Sequence, residues 1–284
     1  MNTTPKNFCG LTEEFSNYSK AKIVVLPIPF DETSTWGKGA DKGPAAIIEA
    51  SRNMEIYDIE TKSEVYKEGI FTAKPITTKN SEQMVKEGYD QTKQFLNDKK
   101  FVVTLGGEHS VPHGPIKAYA EKFKNLSILH FDAHTDRRPA YEGNKYSHAS
   151  IIARVEEMVN NVVSVGIRSI DTSEMPFKKN KIFFAEDIVG KTDWMKRVVK
   201  ELSGTVYVTI DLDVFDPAFL PSTGTPEPGG MDWYTVIKLL KLVAEKTNVV
   251  GLDVVELAPN PTERSSDFLA AKLVYKILSY KFIK

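Results

Sequence analysis

The stretch Leu126-Ser127-Ile128-Leu129-His130-Phe131-Asp132-Ala133-His134-Thr135-Asp136 joins a mostly apolar run to a tail of acids and a histidine. A run with so little polar alternation is the pattern of a strand covered on both faces, and such strands belong to parallel sheets. In an open parallel sheet, ligands bind beyond the carboxyl ends of the strands. Acids standing where turn residues are usual therefore mark a site as well as a strand end. Similar β-branched runs lie at residues 22–28, 101–105, 162–166, 205–212 and 249–255. Amphipathic stretches separate them: Val236, Leu239, Leu240 and Val243 share one helical face after Asp232 as N-cap, and Leu273, Val274, Ile277 and Leu278 repeat the pattern. This alternation predicts an α/β fold with crossover helices. The chain of 284 residues has no repeat, low-complexity tract or linker, which favours one domain. Long irregular loops are expected at 36–44 and 217–230, and loops of that length are often functional.

Lys and Arg number 37 against 38 Asp and Glu, leaving no basic surplus to neutralise a row of phosphates, so nucleic acid is excluded as a main partner. The 41% hydrophobic and 26% charged content is that of an ordinary globular protein. No apolar run approaches the roughly 18 residues of a membrane span, and the first ten residues lack the pattern of a secretion signal. Cys9 stands alone in a polar N-terminal segment and reads as an incidental thiol. With no intramolecular disulfide possible, the cytoplasm is the default compartment.

Two further strand ends carry acids: Leu105-Gly106-Gly107-Glu108-His109-Ser110, and Asp211-Leu212-Asp213 followed by Phe215-Asp216-Pro217. Residues two apart on a strand point the same way. Asp132, His134 and Asp136 therefore converge if the extended form persists, as do Asp211 and Asp213. Several carboxylates aimed at one place from apolar strands need cations or protons to neutralise them. The set His109, Asp132, His134, Asp136, Asp211 and Asp213 is oxygen-rich and lacks thiolate, which suits Mn²⁺ better than a structural zinc site. It is too large for one catalytic ion with an open position; two divalent ions roughly 3.5 Å apart fit its charge. The affinity order of divalent metals leaves other ions open.

Taken in order, GGEHS at 106–110, FDAHTD at 131–136 and TIDLDVFDP at 209–217 closely resemble the ureohydrolase family, which includes arginase and agmatinase. The resemblance extends to Trp36-Gly37-Lys38-Gly39, Gly43-Pro44, TGTPEPGG at 223–230 and GLDVVE at 251–256, covering nearly the whole chain. Gly43-Pro44 is also explained as a helix start with proline in its first turn. The resemblance implies a single three-layer αβα domain over residues 1–284 with a mostly parallel, doubly wound sheet. It further implies an N-terminal extension over 1–20 and assembly into trimers or hexamers. By the same likeness, His109, Asp132, Asp136 and Asp211 hold one manganese, and Asp132, His134, Asp211 and Asp213 the other, with Asp132 and Asp211 bridging. Asp136 passes a proton to the departing amine, Glu256 accepts hydrogen bonds from a guanidinium, and Thr225 lies on the substrate side. His148, in Tyr146-Ser147-His148-Ala149-Ser150, aligns with a proton-shuttling histidine. No organic cofactor is implied. His113 follows His109 by four, but the intervening Pro112 argues against a metal-binding pair, and His130 reads as a core residue.

The segment Arg137-Arg138-Pro139-Ala140-Tyr141-Glu142-Gly143-Asn144 looks like the agmatinase pattern, favouring hydrolysis of agmatine to putrescine and urea, a step of polyamine biosynthesis. Two departures keep guanidinobutyrate, formiminoglutamate and arginine open: the positive pair Arg137 and Arg138, and Pro221-Ser222 where Pro-Gly is commoner. A bimetallic phosphoesterase would use a similar cluster, but Glu256 should repel a phosphate. A non-catalytic binding protein would usually have lost a ligand, and none is missing.

Overall fold

The computed structural model describes residues 5–177, 181–191 and 193–282. Its strands are β1 (Ile23–Ile28), β2 (Ile70–Thr72), β3 (Phe101–Gly106), β4 (Leu126–Phe131), β5 (Asn161–Ile167), β6 (Ile182–Phe184), β7 (Thr205–Asp211) and β8 (Asn248–Val255). They form one sheet in the order β2-β1-β3-β8-β7-β4-β5-β6, and every pairing is parallel, where the sequence suggested mostly parallel. The six runs read from sequence correspond to β1, β3, β4, β5, β7 and β8. The two unread strands are three-residue segments at the sheet's edges, too short to show a period. Leu212, expected to continue β7, opens a 3-10 turn instead.

Side chains alternate between two cores. In β7, Val206, Val208 and Ile210 enter one, and Tyr207 the other. The first core is closed by helices Gly43–Ser51, Trp194–Glu201, Trp233–Lys246 and Ser265–Phe282; the second by Ser81–Asn97, His113–Lys122 and Ile151–Glu156. Asp232 caps its helix, accepting the Thr235 N–H at 2.7 Å. Leu273, Val274, Ile277 and Leu278 are all buried, as their spacing requires. The result is the three-layer αβα arrangement.

The segment before β1 packs onto this body. Phe8 is fully buried and its N–H donates to Thr72 Oγ1 at 2.9 Å. Cys9, in a polar stretch of the sequence, sits in the first core, where burial pushes its thiol pKa up and keeps it unreactive. Among the described residues no helix is long and apolar enough to cross a membrane.

The chain lays down β1 to β3 on one side and β4 to β6 on the other, then fills the gap with β8 and β7. The four central strands, β3, β8, β7 and β4, thus stand side by side with their carboxyl ends along one rim. Each delivers part of the site.

Candidate metal centre

After β3 the chain turns at Gly107, where a Cβ would lie 1.8 Å from the Phe30 carbonyl oxygen. Only glycine permits that approach, which leads Glu108 and His109 to the rim. After β4 the extended form stops at Phe131, so the expected two-residue alternation through Asp132, His134 and Asp136 does not occur. The acids converge by turns. Asp132 Oδ1 accepts the His134 N–H at 2.5 Å, and Asp136 adopts left-handed backbone, φ 51°. After β7, Asp211 Oδ1 accepts the Asp213 N–H at 2.8 Å, so this pair too is placed by a turn. After β8, Glu256 is also left-handed, φ 64°. Such backbone in a non-glycine residue costs of order 1–3 kcal/mol and persists where the surroundings fix it.

His109 Nδ1 lies 3.0 Å from Asp132 Oδ2, 3.0 Å from Asp136 Oδ2 and 3.2 Å from Asp211 Oδ2. It makes no hydrogen bond among the described residues. Its other nitrogen, Nε2, is 3.0 Å from Thr209 Oγ1, whose hydroxyl donates to Asp253 Oδ1 at 2.8 Å. A hydroxyl has one proton to give, so Nε2 carries a hydrogen; Nδ1 faces the three carboxylates, protonated among them alone and offering its lone pair once a cation takes that proton's place. A nitrogen lone pair and three carboxylate oxygens facing one another are a donor set for a divalent cation. Beside it, His134 Nδ1 lies 2.9 Å from Asp213 Oδ2 and 3.5 Å from Asp132 Oδ1.

Two groups have candidate ligand atoms within 4.8 Å of one another: His109, His130, Asp132 and Asp136; and Asp132, His134 and Asp213. Asp132 belongs to both. Asp211 falls outside these groups but reaches the first through His109. All six residues read from sequence are therefore brought together.

The electrostatics agree. Burial, then the charges of Asp213 and Asp132, drives Asp211 well above the usual carboxylate range; burial and Asp132 push Asp136 up to about 7. Burial disfavours charge on His109 and His134, yet the surrounding carboxylates hold both well above the ordinary histidine value. A cluster that draws in protons this way is suited to cations.

The cluster floors a cavity of about 240 Å³ that Glu256, Thr225 and His148 also line. The loops at 36–44 and 217–230 meet on its wall, where a Cβ on Gly37 would come within 2.7 Å of the Gly224 carbonyl oxygen. At the mouth, Arg138 lies over the Tyr141 ring, 4.9 Å from its centre, and 3.5 and 3.7 Å from Asp171 and Glu174. Arg137 turns away: its guanidinium group reaches Glu156 at 3.0 Å, the Thr135 carbonyl at 3.1 Å and Ser164 Oγ at 3.1 Å.

His130 is buried in β4 as expected of a core residue, and it also holds the site. Its Nε2 is 2.7 Å from Asp132 Oδ2 and its Nδ1 3.0 Å from Ser164 Oγ. His113 packs edge-on against Tyr146 instead of joining the cluster. Sequence reasoning missed Thr209 and Asp253, whose signal was a polar residue inside an apolar strand shortly before a site residue. It also missed Glu108, beside His109, and Thr33, which no pattern marked.

Residues 21–279 match the arginase family model. The N(1)-aminopropylagmatine ureohydrolase of Synechocystis sp. is 35% identical, over 97% of this chain and 94% of that one. The agmatinase of Pyrococcus horikoshii is 32% identical over 91% of each. The solved agmatine ureohydrolase of Thermoplasma volcanium superposes with a TM-score of 0.88 at 29% identity, over 99% of this chain and 95% of that one. A family match over nearly the whole chain, on the same fold, makes this chain a member of the arginase family and an agmatinase-like hydrolase.

Proposed function

We propose that the protein hydrolyses a guanidino compound with a cationic tail, agmatine or its N(1)-aminopropyl derivative, releasing urea and an amine. The observation that carries the tail's charge is the cavity mouth, where, among the described residues that line it, Asp171 and Glu174 face one cation, Arg138, leaving one net negative charge. An ammonium is attracted there and a carboxylate opposed. The similarity to N(1)-aminopropylagmatine ureohydrolases supports the longer amine as a second substrate. Against a phosphoesterase stands Glu256, a buried carboxylate that repels a phosphate.

His109, Asp132, Asp136 and Asp211 would hold one divalent ion, and Asp132, His134, Asp211 and Asp213 another; manganese suits this donor set. When bound, such ions supply Lewis-acid charge and lower the pKa of water towards ~7. The remaining work falls to side chains. Glu256 accepts the guanidinium N–H groups in a charge-assisted planar pairing and orients the carbon for attack. The Asp136 carboxylate takes the proton of the attacking water and returns it to the departing amine. His148 moves protons between cavity and solvent. A trimeric or hexameric assembly, and a cytoplasmic place in polyamine biosynthesis, belong to this reading through the family resemblance.

Urea release by manganese-loaded protein from agmatine, N(1)-aminopropylagmatine, arginine and guanidinobutyrate tests the reading. The highest kcat/KM should fall to a cation-tailed compound, and preference for arginine or guanidinobutyrate would overturn the assignment of the mouth.

A further inference from the structure

Glu108 is wholly buried and adjoins His109 in sequence, yet it stands outside both groups of candidate ligands. Its carboxylate turns instead to the loop after β1. Oε2 accepts the N–H groups of Thr33 at 2.5 Å and Ser34 at 3.2 Å; Oε1 accepts the hydroxyls of Thr33 at 2.7 Å and Ser110 at 2.5 Å. The same Thr33 oxygen lies 3.0 Å from His148 Nδ1 and accepts the His148 backbone N–H, also at 3.0 Å.

One hydroxyl proton has two possible acceptors here, the carboxylate and the ring nitrogen. The carboxylate oxygen is the closer, 2.7 Å against 3.0 Å, so it takes the proton. Thr33 Oγ1 is then left with two lone pairs, one for the His148 backbone N–H and one for a hydrogen on Nδ1. The imidazole hydrogen accordingly resides on Nδ1. The other nitrogen, Nε2, has no protein partner among the described residues and belongs to a ring that lines the cavity. Burial, foremost, brings the pKa of this ring down to about 4, so it is neutral near pH 7 and its tautomer matters.

We propose that Glu108 and Thr33 are positioning residues that fix His148 as the Nδ1–H tautomer and leave Nε2 bare toward the cavity, as the atom that exchanges protons there. The functional half of this rests on the reading of His148 as proton shuttle; the tautomer does not. Asp253, Thr209 and His109 repeat the arrangement: a buried carboxylate takes a threonine proton, and the threonine oxygen accepts a ring N–H. In both places a carboxylate out of reach of the cavity determines which histidine nitrogen meets it.

Two-bond ¹H–¹⁵N spectroscopy on the full-length, histidine-labelled protein, with diamagnetic Mg²⁺ in place of manganese, reads the tautomer directly. The His148 signal is identified by its loss in His148→Asn. A protonated Nδ1 is expected, and a protonated Nε2 would overturn the proposal. In the manganese enzyme, Thr33→Val should lower kcat by roughly 10²-fold, the low end of general acid–base help. KM and metal content should be unchanged, and Thr33→Ser should restore turnover. Parental kcat in Thr33→Val would also overturn the proposal, and if that variant does not fold, the parent's tautomer decides. Undiminished turnover in His148→Asn refutes the shuttle reading instead, separately from the tautomer.

Discussion

Glu256, just past the end of β8, accepts the backbone N–H of His109 at 2.6 Å, while its own N–H donates to the Gly107 carbonyl at 2.8 Å. The proposed guanidinium acceptor and a proposed metal ligand are thereby locked together across neighbouring strands. Glu256→Gln keeps an oxygen for the His109 N–H but removes the charge. It should therefore retain metal while kcat/KM for guanidino substrates falls by about 2–5 kcal/mol, the range for truncating one partner of a buried charge pair. Glu256→Ala also frees His109 and should lose metal affinity. Steady-state kinetics with metal analysis check both, and parental kcat/KM in Glu256→Gln would refute guanidinium recognition there.

The adjacent arginines should separate cleanly. The Arg137 side chain is 7% exposed and bonded to Glu156, Ser164 and a carbonyl. Arg137→Gln should cost about 1–3 kcal/mol of stability, the range for leaving buried polar partners unmade. Arg138→Gln should leave stability nearly unchanged and free Asp171 and Glu174 for a cationic tail. KM for agmatine should then fall several-fold, on the order of 1 kcal/mol for a partly exposed pair. Denaturation curves and substrate kinetics on the two variants distinguish these roles; a raised agmatine KM in Arg138→Gln would contradict the reading of the mouth.

Burial, then the positive charge of Arg154, brings the His113 pKa from 6.5 down to about 4. Between those values the unfolded chain binds a proton that the folded protein refuses. The stabilisation is complete above pH 6.5 and is lost as pH falls toward 4, by about 3 kcal/mol for a single group. His113→Phe keeps a ring against Tyr146 and removes the titration. The loss of unfolding free energy between pH 7 and 4.5 should be smaller in this variant than in the parent, and identical profiles would contradict the assignment.

Much of this molecule was legible because its strands are buried on both faces. Six apolar runs marked the six longer strands, whereas Ile70–Thr72 and Ile182–Phe184 are edge segments held by one neighbour each and carry no period. The six acids and histidines of the cluster were legible from residue type at strand ends. How they converge was not: Asp132 and Asp211 fold their own turns by accepting backbone N–H groups two residues on, which no alternation rule foresees. The supporting residues were harder still. Thr33 is separated from His148 by 115 positions, and only the folded sheet brings them together.

The most direct test of a paired-metal hydrolase is to count ions while watching urea appear. Manganese titration of metal-free protein should reach about two ions per chain, and chelation should abolish urea release from agmatine, because the converging carboxylates need that charge. Asp132→Asn should weaken both ions and Asp213→Asn mainly one, since Asp132 belongs to both candidate groups and Asp213 to one. Saturation near one ion with full activity, or activity that survives complete chelation, would contradict the paired site.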